Sequence, residues 1–265
     1  MQERQAQAST RVATESVVEV HIPDAAETAR DQDEEWCEVR IDGDAQRVRF
    51  HDYARIYAIP GLYEQIFYET LECDSPRTVC SLLDQVLRDR GVDAEELRVL
   101  EVGAGNGMVG EELADLGAEK IVAIDIIEEA AAAAERDRPG VYEDYKVIDL
   151  TNPPAADQRE LRDHDLNCLV CVAALGFGDI PPEAFATAYD LIAPGGWVVF
   201  NIKEDFIHAE RDESGFSRMI RTGLADGALE LLDKHRYRHR LAVDGQPIHY
   251  VAIVARKRGP LRPGA

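Results

Sequence analysis

Apolar positions recur along this chain in two alternating rhythms. Arg98 to Val102, Lys120 to Ile124, Tyr145 to Ile148, Asn167 to Val172 and Trp197 to Ile202 are short apolar runs bounded by turn formers, and read as strands. Between them, Met108 to Leu116, the alanine-rich Glu128 to Arg136 and Pro182 to Ile192 carry helical spacing. Strand and helix in turn predict an α/β fold, a parallel sheet with helices on both faces. Phe216 to Leu224 adds a helix. His235 to Leu241 and Pro247 to Ala255, joined by Val243-Asp244-Gly245-Gln246, read as an antiparallel hairpin.

The chain upstream has a different texture. Residues 1–34 are polar and acidic and read as a flexible tail, within which Val17, Val18, Val20 and Ile22 offer one short strand. Trp36 to Ile41 and Arg47 to Phe50 alternate around Asp42-Gly43-Asp44, which predicts a small hairpin. His51 to Leu71 is rich in aromatics (Tyr53, Tyr57, Tyr63, Phe67, Tyr68) and is broken in two by Pro60-Gly61. Thr78 to Arg90 has helical spacing and stops at Gly91. The expected organisation is a tail over 1–34, a hairpin and aromatic cap over 35–75, and the main domain over 76–265.

One stretch carries chemistry. Leu100-Glu101-Val102-Gly103-Ala104-Gly105-Asn106-Gly107-Met108 runs from a strand through a glycine-rich turn into a helix. Glycines permit the sharp turn and let a ligand approach the backbone, and the helix start presents free N–H groups. Gly105-x-Gly107-x-x-Gly110 also fits the dinucleotide fingerprint, so a nicotinamide-dependent oxidoreductase is one reading. Three acids favour S-adenosyl-L-methionine (SAM). Glu101, before the glycines, would crowd a pyrophosphate but suits a cationic amino group. Asp125 ends the second strand, where an acid binds ribose hydroxyls. Asp149-Leu150 follows the third strand, where an acid accepts a hydrogen bond from the adenine amino group.

From Leu100 to Leu150 the chain resembles the class I SAM-dependent methyltransferases, and the resemblance extends over roughly residues 75–257 through Pro194-Gly195-Gly196 before the fifth strand. It implies a Rossmann-like, seven-stranded, mostly parallel sheet with an antiparallel C-terminal hairpin strand. It also implies roles. Glu101, Gly103 and Gly105 would hold the methionine part, with Ala104 and Gly107 shaping the turn. Asp125 would bind the ribose, Ile126 would cover an adenine face, and Asp149 and Leu150 would border the base. Val172, Ala173 and Ala174 would line the methionine side. Tyr53, Tyr57 and Tyr63 are lid candidates over SAM, Tyr53 and Tyr57 foremost, or equally packing between cap and core. A narrower likeness, through Tyr57-Ala58-Ile59-Pro60-Gly61-Leu62-Tyr63 and Ala174 to Pro182, is to the methyltransferase-like proteins named for the Williams–Beuren region. Those commonly carry a His where Phe177 stands.

The implied reaction is methyl transfer from SAM, leaving S-adenosyl-L-homocysteine. No catalytic base is assigned; Glu204, Asp205 and His208 stand near the expected substrate mouth. Asn152-Pro153-Pro154 follows the third strand, the wrong place for the signature of amino-group nucleic-acid methylases. A SAM-binding regulatory protein without turnover is the other alternative.

Composition narrows the partners. The formal net charge is -22 over 265 residues. Such a surface repels phosphate backbones, so a nucleic-acid substrate is not expected, while a small molecule is, with protein methylation left open. Acid-rich, lysine-poor sequences also suit high salt. No stretch approaches a membrane helix, and Met1 to Thr10 lacks a signal-peptide pattern, so a cytoplasmic location is expected. Cys168 and Cys171 have metal-like spacing, but on a strand residues three apart face opposite sides, so inert core thiols and no metal site are expected. His235, Tyr237 and His239 share one strand face, expected to be a solvated edge, with Arg236, Arg238 and Arg240 on the other.

Overall fold

The computed structural model describes residues 18–23, 34–41, 43–175, 179–204 and 215–263. Asp205, His208 and Gly176 to Gly178 lie outside the described residues. Strands β1 (Val18–His21), β2 (Trp36–Ile41) and β3 (Asp44–Arg49) form a small antiparallel sheet. The segment expected to be tail thus contributes a strand. Val18 and Val20 alternate with Glu19 and His21, so one side of β1 packs on the cap while its backbone pairs with β2. Helices α1 (Tyr53–Ala58) and α2 (Leu62–Glu64) follow, separated at Pro60-Gly61 as the sequence predicts, and α2 runs into a π-helical turn over Gln65–Thr70. Val39, Phe50, Ile56, Leu62 and Ile66 bury together, giving this cap a core of its own.

Helix α3 (Ser75–Asp89) leads into the main domain. There β4 (Arg98–Val102), α4 (Met108–Leu116), β5 (Lys120–Asp125), α5 (Glu128–Asp137) and β6 (Asp144–Val147) alternate. Then come α6 (Ala155–Asp163), β7 (Cys168–Cys171), α7 (Pro182–Leu191), β8 (Trp197–Lys203), α8 (Phe216–Ala225), β9 (Leu229–Leu241) and β10 (Pro247–Lys257). The seven strands take the order β6-β5-β4-β7-β8-β10-β9. The first five run parallel, and β10 enters antiparallel between β8 and β9. This is the Rossmann-like sheet with an antiparallel C-terminal hairpin strand that the resemblance implies. Helix α6 carries no hydrophobic period in the sequence because it buries only Leu161.

Each sheet face has its own core. Leu100, Leu169, Cys171 and Phe200 pack under α7 and α8 with Phe185 and Phe216. Val99, Val170, Cys168 and Val199 pack under α3 and α4 with Leu83, Leu87 and Leu113. Each fully buried Leu or Phe contributes roughly 1.5–3 kcal/mol by leaving water. Cys168 and Cys171 fall in opposite cores as free thiols, as strand alternation requires. β4 pairs with β5 on one side and β7 on the other, so chain direction around the sheet reverses there. A crevice opens at such a switch point, at the C-terminal ends of the strands.

The expectation for β9 needs correction. Tyr237, His239 and Arg240 are buried, not solvated. The cap joins the edge strand here: Leu241 N–H donates to Leu71 O, and Asp74 N–H to His239 O. A register shift beside His239 lets Arg240 turn inward as well. His235, Arg236 and Arg238 stay exposed. Among the described residues no helix is long and apolar enough to cross a membrane.

Candidate active site

The glycine-rich turn builds one wall of the crevice. Gly103, Gly105 and Gly107 hold φ of 71°, 56° and 90°, in the left-handed region that side chains disfavour. Space is equally restrictive: a Cβ on Gly103 would stand 2.8 Å from that of Ala174. The cavity beside this turn has a volume of about 180 Å³. Its floor comes from strand ends, with Gly103, Asp125, Ile126, Val172, Ala173 and Ala174. Asp149 and Leu150 close one side, and Tyr53 and Tyr57 the top. Glu101, Ala104, Gly105 and Gly107 stand behind this wall and do not line it.

The carboxylates differ in their surroundings. Asp125 Oδ2 accepts the Gly105 N–H at 2.9 Å, and Oδ1 accepts the N–H groups of Ile126 and Ile127 at 2.7 and 3.0 Å. It fastens the end of β5 to the glycine turn. Burial raises its pKa and these three bonds oppose the rise. Glu101 is only 1% exposed, and its Oε2 accepts the Tyr142 hydroxyl at 2.9 Å. Burial pushes its carboxyl up to about 8. Asp149 is exposed and turns the chain, its Oδ1 accepting from the Thr151 N–H and hydroxyl at 2.8 and 2.7 Å; these bonds lower its pKa.

The cap covers the crevice through an aromatic series. Tyr53 stacks on Tyr57 with centroids 6.1 Å apart, and Tyr57 meets Tyr63 at 4.9 Å. The Tyr57 hydroxyl occupies the hollow that Gly105 leaves for want of a Cβ. Polar bonds latch the cap to the same turn. Asn106 Nδ2 donates to Glu64 Oε1 at 2.7 Å, and Arg138 Nη1 donates to the same oxygen at 2.9 Å. Arg136 Nη1 donates to Tyr57 O at 3.1 Å. Tyr53 and Tyr57 therefore face the cavity and pack the cap at once.

A family model described as a methyltransferase domain matches residues 72–250. The chain belongs to this methyltransferase family. A ubiquinone biosynthesis O-methyltransferase from Thiobacillus denitrificans is 32% identical over 104 residues, 39% of this chain and 43% of that protein. One of the same description from Burkholderia multivorans is 33% identical over 106 residues, with the same shares. The match therefore spans less than half the length of these curated relatives. Among solved structures, the N-methyltransferase NodS of Bradyrhizobium japonicum, in complex with S-adenosyl-L-homocysteine, is similar in fold. Its TM-score is 0.53 at 17% identity, covering 78% of this chain and 97% of that one.

Further residues line the methyltransferase cavity: Tyr63, a lid candidate in the sequence, Asp179, Ile180 and Pro181, which fall in the Ala174 to Pro182 segment, and Ile127 and Ile148, which no motif names. Ile127 and Ile148 adjoin the sequence-named Ile126 and Asp149, so the signal lay one position away. The likeness through Ala174 to Pro182 gives Asp179 no role; beside the Leu175–Ile180 bridge it stands in the cavity wall. Glu204 is held by Arg236, whose Nε and Nη2 donate to it at 2.7 and 2.8 Å.

Proposed function

We propose that the cavity binds SAM and that the chain transfers its methyl group to a neutral or cationic small molecule, leaving S-adenosyl-L-homocysteine. The observation that carries this reading is the union of Asp125 with the Gly105 N–H at 2.9 Å, in a cavity walled by Ile126, Asp149 and Leu150. An acid at the second strand end, tied to a glycine turn at the first, suits an adenosyl ribose. The residues present fit the group. Gly103 lines the cavity at the turn, against which Gly105 lets the Tyr57 hydroxyl seat, Ile126 is 64% exposed and free to cover the adenine, and Leu150 borders the base with Asp149. Val172, Ala173 and Ala174 would face the amino-acid part, Ala104 and Gly107 would keep the turn's shape, and Glu101, its carboxyl pushed up to about 8 by burial, would give up its proton behind the turn only against the ligand's cationic amino group.

Bound there, SAM supplies an electrophilic methyl on a sulfonium. The chain's own part is to align the acceptor and exclude water, which Tyr53 and Tyr57 do from the cap. Asp125, Asp149 and Asp179 line the cavity, and among its described lining residues there is no Lys, Arg or His. An anionic acceptor would meet repulsion there, reinforced by the net charge of -22. The relatives named for ubiquinone biosynthesis support a small molecule. The Tyr57 to Tyr63 segment supports kinship with the Williams–Beuren-region subgroup; Phe177 of its second motif lies outside the described residues.

Calorimetry with SAM and with NADH, run separately, tests the reading. We expect SAM to bind, NADH not to bind, and Asp125→Ala to weaken SAM by about tenfold or more. NADH binding without SAM binding would overturn it. Methyl-labelled SAM incubated with metabolite fractions sorted by charge should label neutral or basic compounds; label confined to acidic compounds would refute the acceptor class.

A further inference from the structure

Among the described residues Ala173 is one of three other than glycine with positive φ, at 57°, with Glu72 and Asp165, and it lies in the cavity wall just past β7. That conformation is disfavoured for any residue bearing a Cβ and persists only where the surroundings impose it. Here they do. Its N–H donates to Oδ1 of Asn201, on the neighbouring strand β8, at 2.6 Å. Asn201 is fully buried.

The amide of Asn201 is itself fixed. Its Nδ2 donates to the Tyr237 hydroxyl at 2.6 Å and to Ser75 Oγ at 3.2 Å. Tyr237 and Ser75 are 2.6 Å apart, and Ser75 Oγ is 2.6 Å from His239 Nδ1. One assignment uses every proton once. Tyr237 accepts from Asn201 and donates to Ser75, and Ser75 donates to His239 Nδ1. Burial keeps His239 neutral, as an acceptor must be. Ser75 opens α3, Tyr237 and His239 come from β9, and Asn201 from β8. A network so fully satisfied in the dry interior orients its members firmly.

We propose that Asn201 is a positioning residue for the SAM site: anchored by Ser75, Tyr237 and His239, it holds the Ala173 turn in the left-handed conformation that shapes the methionine side of the cavity. This rests on the SAM reading above. Asn201 does not line the cavity, so its effect passes through the Ala173 backbone.

The test is a double-mutant cycle on SAM affinity, read by calorimetry. Asn201→Leu is expected to weaken SAM by about tenfold. Glycine adopts positive φ without penalty, so Ala173→Gly should make the support unnecessary. In the Ala173→Gly background, Asn201→Leu should then cost under about threefold. A purely structural role for Asn201 would give no such rescue. Should Asn201→Leu fail to fold, Ser75→Ala with Tyr237→Phe removes the anchor and leaves Asn201 in place, with the same loss and rescue expected. A parent that binds SAM while the variants bind equally, or a loss that glycine does not restore, overturns the inference alone. A parent that does not bind SAM removes the earlier reading and this inference with it.

Discussion

The Tyr142 hydroxyl donates to the Glu101 carboxylate at 2.9 Å directly behind the glycine turn. The two meet because Gly110, on α4, has no side chain: a Cβ there would stand 2.5 Å from the Tyr142 hydroxyl oxygen. The third glycine of the fingerprint therefore makes room for a tyrosine that partners a buried acid.

Glu101 should make stability depend on pH. Burial raises its carboxyl from 4.5 to about 8, the Tyr142 bond opposing and the Asp125 charge adding to the rise. The folded state thus binds this proton more tightly than the unfolded chain. The group's contribution is fully present below about pH 4.5 and is lost as pH rises to about 8. Glu101→Gln removes the titration. Urea unfolding at several pH values should show the variant gaining on the parent toward pH 8, by at most on the order of 5 kcal/mol. Equal pH slopes for the two would refute this.

The latch between cap and turn gives a second prediction. The Arg138 side chain is 10% exposed and donates to Glu64 Oε1, Glu111 Oε2 and Asn106 O. Arg138→Ala leaves the half-buried Glu64 with only Asn106 as donor. A loss of about 1–3 kcal/mol is expected, concentrated in the cap. Hydrogen exchange should speed up over α1 and α2 and stay unchanged in β4 and β7. Uniform acceleration would mean that the pair stabilises the whole fold instead.

The main domain was legible because its strands are apolar runs punctuated by glycine and proline. Met108 to Leu116 forms a helix at the bounds the spacing predicts. The cavity wall was legible where it coincides with strand ends, as at Asp125 and Val172. What escaped depends on contacts distant in sequence. Tyr237 and His239 look like an exposed edge until Ser75 arrives from α3. Arg240 looks solvated until Glu35 closes on it from the N-terminal side. Periodicity records which face is apolar, not which polar groups find partners inside.

That Arg240–Glu35 pair carries a third prediction. The side chains are 4% and 2% exposed, and Glu35 Oε1 also accepts the Val243 N–H at 2.9 Å. Removing one partner strands a charge in the interior, so Arg240→Ala should cost about 3–5 kcal/mol. Replacing both with apolar residues should cost far less. Thermal melting should show the single variant falling by roughly 6–20 °C and the double variant recovering most of that. A double variant no better than the single would place the cost in lost packing.

The Tyr57–Gly105 contact separates two effects that a single substitution mixes. Gly105→Ala forces a Cβ into left-handed backbone at φ 56° and also into the Tyr57 hydroxyl. The backbone effect costs about 1–2 kcal/mol, and the collision adds about 1–3 kcal/mol because the buried ring must shift. Tyr57→Ala removes the ring, so in that background Gly105→Ala should show the backbone cost alone. Urea unfolding of the four chains measures the difference. If Gly105→Ala costs the same in both backgrounds, the cap does not rest on the glycine turn and the tyrosine is free to move aside. A smaller cost without the ring means that the cap is seated against the turn. Any ligand entering there must then displace Tyr57, and Tyr57→Ala should speed SAM association in stopped-flow measurements.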